Sequence, residues 1–230
     1  MKIAVCFSGQ LRTANHAASN LLRFFGNLFN DIDFYVHTWD INQYKPYYNI
    51  RHQEPPEKIE PLEFEIFKEI YNPKRMVIEK YSNMNIPLFY SFSRSVELIE
   101  GDYDVVIKLR PDIIFSKRIT LQAGLDDFIT DTMSFYDDMF AHNIMNDVYW
   151  IASQKNMKIA AEYVPKEISF TEHMVKNNVS LKRMSEGGYV RLRPEAGKFN
   201  VITEYLKCMK VDRLLYSPVQ SHNPLDWNLE

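Results

Sequence analysis

Five short stretches of this chain carry side chains suited to chemistry. The most informative is Arg110-Pro111-Asp112, which follows the apolar run 105–109. That run reads as a buried strand, and the proline, lacking an N–H donor, stops regular pairing after it. An Arg and a carboxylate at the carboxyl end of such a strand suit a phosphate together with a metal or a ribose, because ligands of open α/β sheets sit there. The plain alternative is an Arg–Asp pair that merely closes the strand. Ser8-Gly9-Gln10-Leu11-Arg12 ends another apolar run. Its glycine permits close backbone approach, and Gln10 and Arg12 supply planar donors for a diphosphate or a base. A turn with a surface arginine explains it equally well. His37-Thr38-Trp39-Asp40 closes a third run. His37 and Asp40 would face the same cleft as Arg12, with Trp39 stacking on a base or sugar; otherwise His37 is a hydrogen-bonded core residue and Trp39 is packing. Asp137, Asp138, Asn143, Asn146 and Asp147 precede the aromatic run 148–152. They suit an acceptor hydroxyl or a divalent cation, or form a solvated acidic loop. Glu172-His173 opens a polar helix, where Glu172 is either a general base or a first-turn carboxylate favoured by the helix dipole.

The elements that must position these groups follow from periodicity. Residues 2–7, 32–37, 76–79 and 105–109 read as strands. Between them, apolar residues at helical spacing predict helices over Ala17 to Phe29, 62–71 and from Phe89 to Ile99, the last closed by Gly101. Strand, helix, strand in this order predicts parallel pairing through crossovers. The expectation is an α/β fold with a mostly parallel central sheet flanked by helices, in a single domain over 1–230. Residues 42–61 form a long excursion, with Tyr44, Tyr47 and Tyr48 as an acceptor platform or a cover for the sheet edge. The second half reads as a helix over 121–129 and strands over 133–136 and 148–152. Helices over 157–164 and 171–178, a strand over 189–192 and a helix over 199–209 complete it.

Composition bounds the partners. The chain has 230 residues, 46% hydrophobic and 25% charged, enough for a real core. A net charge of −3 with no basic stripe argues against nucleic acid. No run approaches a membrane span, and the first strand begins at the first residues, leaving no room for a signal peptide; a cytoplasmic address is the expectation. Cys6 and Cys208 lie far apart without metal-like spacing, so Cys6 reads as a buried thiol. The spaced glycines of a dinucleotide fingerprint are absent, and so is the Gly-Lys-Ser/Thr of a P-loop.

Taken together, Ser8 to Arg12, His37 to Trp39 and Tyr103 to Asp112 resemble the motifs of a microbial and viral group of GT-A-type nucleotide-sugar glycosyltransferases. Asp147 to Ser153 and Glu172 match its second-half elements, so the likeness spans roughly residues 1–180. The resemblance implies a GT-A-like, Rossmann-like sheet. Residues 1–115 would be the nucleotide-sugar donor half, and 116–230 the acceptor half and tail. Ser8, Gly9, Gln10, Arg12, His37, Trp39, Arg110 and Asp112 would bind the donor. Asp112 would inherit the metal role of the Asp-x-Asp motif, holding manganese or magnesium, with His222 as a further ligand. Arg110 replaces that motif's first Asp, and an arginine neutralises phosphate without a cation. Glu172, then Asp147, would be the base that deprotonates a glycan or glycoprotein acceptor. The alternatives are a nucleotidyltransferase of similar fold and a non-catalytic nucleotide- or sugar-binding module.

Overall fold

Side-chain alternation along the first strand sets the layers. In strand β1 (Ile3–Ser8), Ile3, Val5 and Phe7 face one way and Ala4 and Cys6 the other. The first set packs against helices α1 (Ala14–Phe25) and α2 (Pro61–Tyr71). The second packs with helices α3 (Pro87–Glu97), α4 (Gln154–Ala161) and α5 (Phe170–Lys176). Covered on both faces, β1 and its neighbour have no polar side to show, which is why they read as continuous apolar runs. The computed structural model describes residues 1–26, 31–42, 56–81, 87–115, 125–130, 149–164, 168–183 and 189–191.

After β1 come strands β2 (Ile32–Trp39), β3 (Ile41–Asn42), β4 (Glu57–Lys58), β5 (Arg75–Glu79) and β6 (Val105–Leu109). Strands β7 (Ile113–Phe115), β8 (Asp127–Thr130), β9 (Tyr149–Ala152), β10 (Ser180–Arg183) and β11 (Tyr189–Arg191) follow. A seven-stranded sheet runs in the order β10-β8-β9-β6-β1-β2-β5, in which only β9 lies antiparallel to its neighbours. The chain winds outward from β1 to β2 to β5, then returns through α3 to place β6 on the other side of β1. That reversal makes the carboxyl ends of β1 and β6 a topological switch point, where open α/β sheets form their crevice. Phe7 pairs with Leu109, so the chain leaves the two strands side by side.

The opposite end of the sheet is tied by the first half of the 103–112 motif. Tyr103 Oη donates to Asp33 Oδ2 at 2.7 Å and lies 2.7 Å from Tyr35 Oη. Lys74 Nζ reaches the same Asp33 oxygen at 2.7 Å. Asp104 accepts the Lys2 N–H at 2.7 Å. These bonds pin the start of β6 to β1 and β2, far from the crevice.

Several expectations change. Residues 121–129 are predicted as a helix, yet 127–130 form β8, between β9 and β10. Leu121, Leu125, Phe128 and Ile129 fit a helical period, but the fully buried Phe128 packs with Trp150 and Phe170 while Ile129 turns to the other face. Tertiary pairing overrides that local pattern. Strand β2 runs two residues past its predicted end, so Thr38 and Trp39 belong to the sheet itself, as His37 does. Helices α4 and α5 begin earlier than predicted because Ser153 and Ser169 cap them, accepting the N–H groups of Asn156 and Glu172. Strand β10 is an addition that the sequence reading lacks. Residues 133–136 and 199–209, together with Tyr44, Tyr47 and Tyr48, lie outside the described residues. Among the described residues, no helix is long and apolar enough to cross a membrane.

Tyr103→Phe removes one hydroxyl from the Asp33–Tyr35 network. It should cost about 1–3 kcal/mol of stability, read as a lower urea midpoint, while ligand binding at the other end of the sheet is unchanged.

Candidate functional site at the switch point

The loop after β1 has its backbone fixed at two points. Gly9 adopts φ +110°, a conformation that side-chain-bearing residues rarely take, although a Cβ there would meet nothing within 4 Å. Its N–H donates to Ser91 Oγ at 2.7 Å. Ser91 is buried on α3, and its hydroxyl lies 2.8 Å from His37 Nδ1. Three residues on, Arg12 is a left-handed non-glycine residue at φ +46°, a conformation costing about 1–2 kcal/mol. Its N–H donates to Asn42 Oδ1 at 2.7 Å. Asn42 lies in β3, which pairs with β4 across the base of the 42–61 excursion. Leu11, buried between these anchors, plugs the loop into the core with α1.

Arg12 held this way meets the loop after β6. Asp112 has 0% exposure. Its Oδ1 accepts Arg110 Nε–H at 3.0 Å, and its Oδ2 accepts Arg110 Nη2–H at 2.8 Å and Arg12 Nη1–H at 3.1 Å. The Arg110 contact is a two-pronged fork, the geometry in which guanidinium and carboxylate bind most strongly. Both arginine side chains stay partly open, Arg12 at 16% and Arg110 at 11%. Beyond Asp112 the chain enters β7, which pairs with β11. There Asn20 of α1 brackets the Phe115 backbone, donating to its carbonyl at 3.2 Å and accepting its N–H at 2.8 Å. Asp112 is thus anchored in sequence as well as by charge.

This donor set does not suit a divalent cation at Asp112. Both oxygens already accept guanidinium N–H groups, and a cation there would stand against two fixed positive charges. Among the described residues, no three His, Cys, Asp or Glu side chains converge as a metal site. Asp147 and His222 lie outside the described residues, as do Asp137, Asp138, Asn143 and Asn146.

His37 and Trp39 project to the α3 face. His37 is 1% exposed, with Nδ1 at Ser91 and Nε2 3.4 Å from Glu79 Oε1. Glu79 also accepts from Arg94 Nε at 3.2 Å and Tyr90 Oη at 2.9 Å. Trp39 is 2% exposed, stacked on Tyr90 at 5.7 Å and edge-on to Tyr81 at 5.6 Å. Asp40 accepts the Tyr81 N–H at 2.8 Å. These are packed, bracing positions at the rim of β2 and β5. His37 is joined to the Gly9 loop through Ser91, and Trp39 has almost no surface left to offer a ligand.

Glu172 stands in the first turn of α5, exposed, with Lys176 Nζ 3.1 Å away. Helix α5 packs on β10 and reverses tightly into it, and β10 shares the direction of β1 and β6. Its first turn therefore lies at the same end of the sheet as the crevice. Two residues that the sequence reading passed over matter here. Ser91 has one signal in the sequence, a serine four residues before Ser95 on a helix face that is otherwise apolar. Lys108 is fully buried in β6, with Nζ 4.6 Å from the Trp150 ring centroid; its signal is a lysine inside the apolar run that leads to Arg110.

No protein-family model matches the sequence, and no curated protein is similar to it. Solved structures are. The mannosyltransferase PcManGT from Pyrobaculum calidifontis, in complex with GDP-Man and Mn2+, aligns over 91% of this chain and 64% of its own, at 8% identity and a TM-score of 0.51. The apo-form glycosyltransferase GlyE of Streptococcus pneumoniae aligns over 80% of this chain and 45% of its own, at 12% identity and 0.39. The inositol-1-phosphate CTP transferase of T. maritima aligns over 94% and 98%, at 9% identity and 0.44. This chain thus spans under half of the GlyE chain and about two thirds of the mannosyltransferase. The likeness to the mannosyltransferase shows a GT-A-like fold.

Burial pushes the His37 pKa below its ordinary value of 6.5, with Glu79 pulling it back to a lesser extent. His37 is then neutral in the native state, while the unfolded chain takes up its proton near 6.5. Native stability should therefore fall as pH drops below about 6.5. Burial lowers His16 in the same direction, so His37→Gln should flatten the loss between about pH 7 and 5.5 without abolishing it. Urea unfolding across that range reads this out; an unchanged slope would mean that His37 takes up its proton alike in the folded and unfolded chain.

Proposed function

We propose that this chain transfers a sugar from a nucleotide-diphosphate donor to a glycan or glycoconjugate acceptor. The donor diphosphate would sit in the crevice between β1 and β6. One observation carries the reading: Asp112 draws Arg12 from the β1 loop and Arg110 from the end of β6 into one cluster across the switch point. The GT-A-like fold and the glycine-bearing loop at Ser8, Gly9 and Gln10 support it.

In this reading, breaking the sugar–phosphate bond leaves negative charge on the diphosphate. Arg12 and Arg110 are oriented before the reaction to take up that charge, which is how fixed dipoles and cations lower such barriers. The acceptor hydroxyl must lose its proton to a carboxylate on the sugar side. Glu172, at the same end of the sheet, and Asp147 are the assigned candidates. His37 and Trp39 shape the rim behind the Gly9 loop. Manganese or magnesium, when bound at an Asp-x-Asp carboxylate, would supply Lewis-acid charge to the diphosphate. The residues around Asp112 do not fit that arrangement, so no step is assigned to a cation.

The test is release of nucleoside diphosphate from a panel of nucleotide sugars supplied with oligosaccharide acceptors. Arg12→Ala leaves Asp112 its two-pronged bond to Arg110, and its melting temperature is read beside turnover to separate lost charge from lost fold. Loss of one such charge-stabilising group should lower turnover about 100-fold. A parallel assay with sugar 1-phosphates and nucleoside triphosphates, read as pyrophosphate release, covers the nucleotidyltransferase alternative. Turnover there and none in the first assay would overturn glycosyl transfer. Donor binding with no product in either would mark a binding module.

A further inference from the structure

We infer that Asp112 is a positioning residue that locks Arg12 and Arg110 into a paired guanidinium clamp, and that this clamp holds a diphosphate with no divalent cation at Asp112. The inference deepens the transferase reading and takes from it the identity of the anion as part of a nucleotide sugar.

Three observations support it. The carboxylate of Asp112 has 0% exposure and already accepts three N–H bonds, at 3.0, 2.8 and 3.1 Å. Magnesium and manganese prefer six oxygen ligands, and magnesium keeps several waters. A fully enclosed carboxylate facing two guanidinium groups has neither the space nor the potential for such a shell. Second, the fork from Arg110 engages one edge of a planar group, so its opposite edge points away from Asp112. Third, the two arginines come from opposite sides of the switch point, and each matches phosphate geometry in the way a point charge does not. Arginine stays charged across the accessible pH range, so the clamp needs no cofactor and no titration to be ready.

The experiment uses the full chain freed of metal on a chelating resin. Binding of inorganic pyrophosphate, UDP and GDP is measured by calorimetry in metal-free buffer and again with manganese. Direct manganese binding is followed by the loss of the free-ion signal in electron spin resonance. At least one probe should bind in metal-free buffer, with affinity within about threefold of that in manganese. Arg110→Lys keeps the charge and loses the fork, and should weaken that binding about tenfold or more. Asp112→Asn keeps the shape and releases the arginines, and should weaken it similarly with no change in manganese uptake. A merely structural role for Asp112 would lower the melting temperature of Asp112→Asn and leave probe affinity intact. That result would overturn the clamp. So would probe binding only with manganese, manganese uptake lost in Asp112→Asn, or no binding under either condition. Metal-free binding with no sugar transfer would sink the transferase reading alone and leave the clamp standing.

Discussion

A carboxylate with no solvent exposure cannot remain charged unless the protein surrounds it with compensating groups, and removing a single partner from such a pair is costly. Asp112 imposes that requirement at the centre of the sheet. Arg110 meets it locally, two residues away, across a proline that stops the strand from running on. Arg12 meets it from a hundred residues away in sequence, and to do so its backbone takes a left-handed conformation steadied by Asn42. The loops after β1 and β6 are therefore not independent surface turns. Arg12 and Asp112 tie one loop to the other at 3.1 Å, across the switch point between the two strands.

The same division of labour explains the 103–112 motif as a whole. Its first two residues work at the amino end of the sheet, where Tyr103 and Asp104 bind β2 and β1. The five strand residues between are wholly buried. Only Arg110 and Asp112 reach the carboxyl end. A recognisable run of sequence thus holds a structural anchor, a core strand and a charged cluster in succession. Substituting Tyr103 or Asp104 acts at the amino end of the sheet, and substituting Arg110 or Asp112 at the carboxyl end. Ser91 makes a comparable link on the α3 side, since one hydroxyl serves both the Gly9 N–H and the His37 ring.

Periodicity made the sheet half of this architecture legible. Strands β1 and β6 are buried on both faces and so show as unbroken apolar runs, and the alternation of strand and helix dictated parallel pairing. Strand β8 was not legible, because Leu125, Phe128 and Ile129 satisfy a helical spacing and only pairing with β9 and β10 decides otherwise. The residue types at the crevice were visible, but their facing was not. The extension of β2 through Trp39 decided that, since period two then sends Tyr35, His37 and Trp39 toward α3. Likewise, nothing within residues 110–112 announces that Asp112 will be shared with Arg12. A metal ligand and a guanidinium anchor are the same residue type, and only the partners distinguish them.

Those partners also bear on what the crevice can do. A flexible arginine at a protein surface must be immobilised when an anion arrives, which removes roughly 0.5–1.5 kcal/mol from binding for each such side chain. Arg12 and Arg110 are held beforehand by a carboxylate that is itself wholly buried. Their ordering is charged to folding, through the strained backbone at Arg12 and the bracketing of β7 by Asn20. A group whose position does not depend on the ligand can act equally on an ion that is already present and on charge that is still developing. In the proposed transfer, that independence would let the arginines meet charge developing on a leaving diphosphate without reorganising, and only an interaction stronger there than in the ground state would speed the step. The buried Asp112 is what gives the two arginines that property.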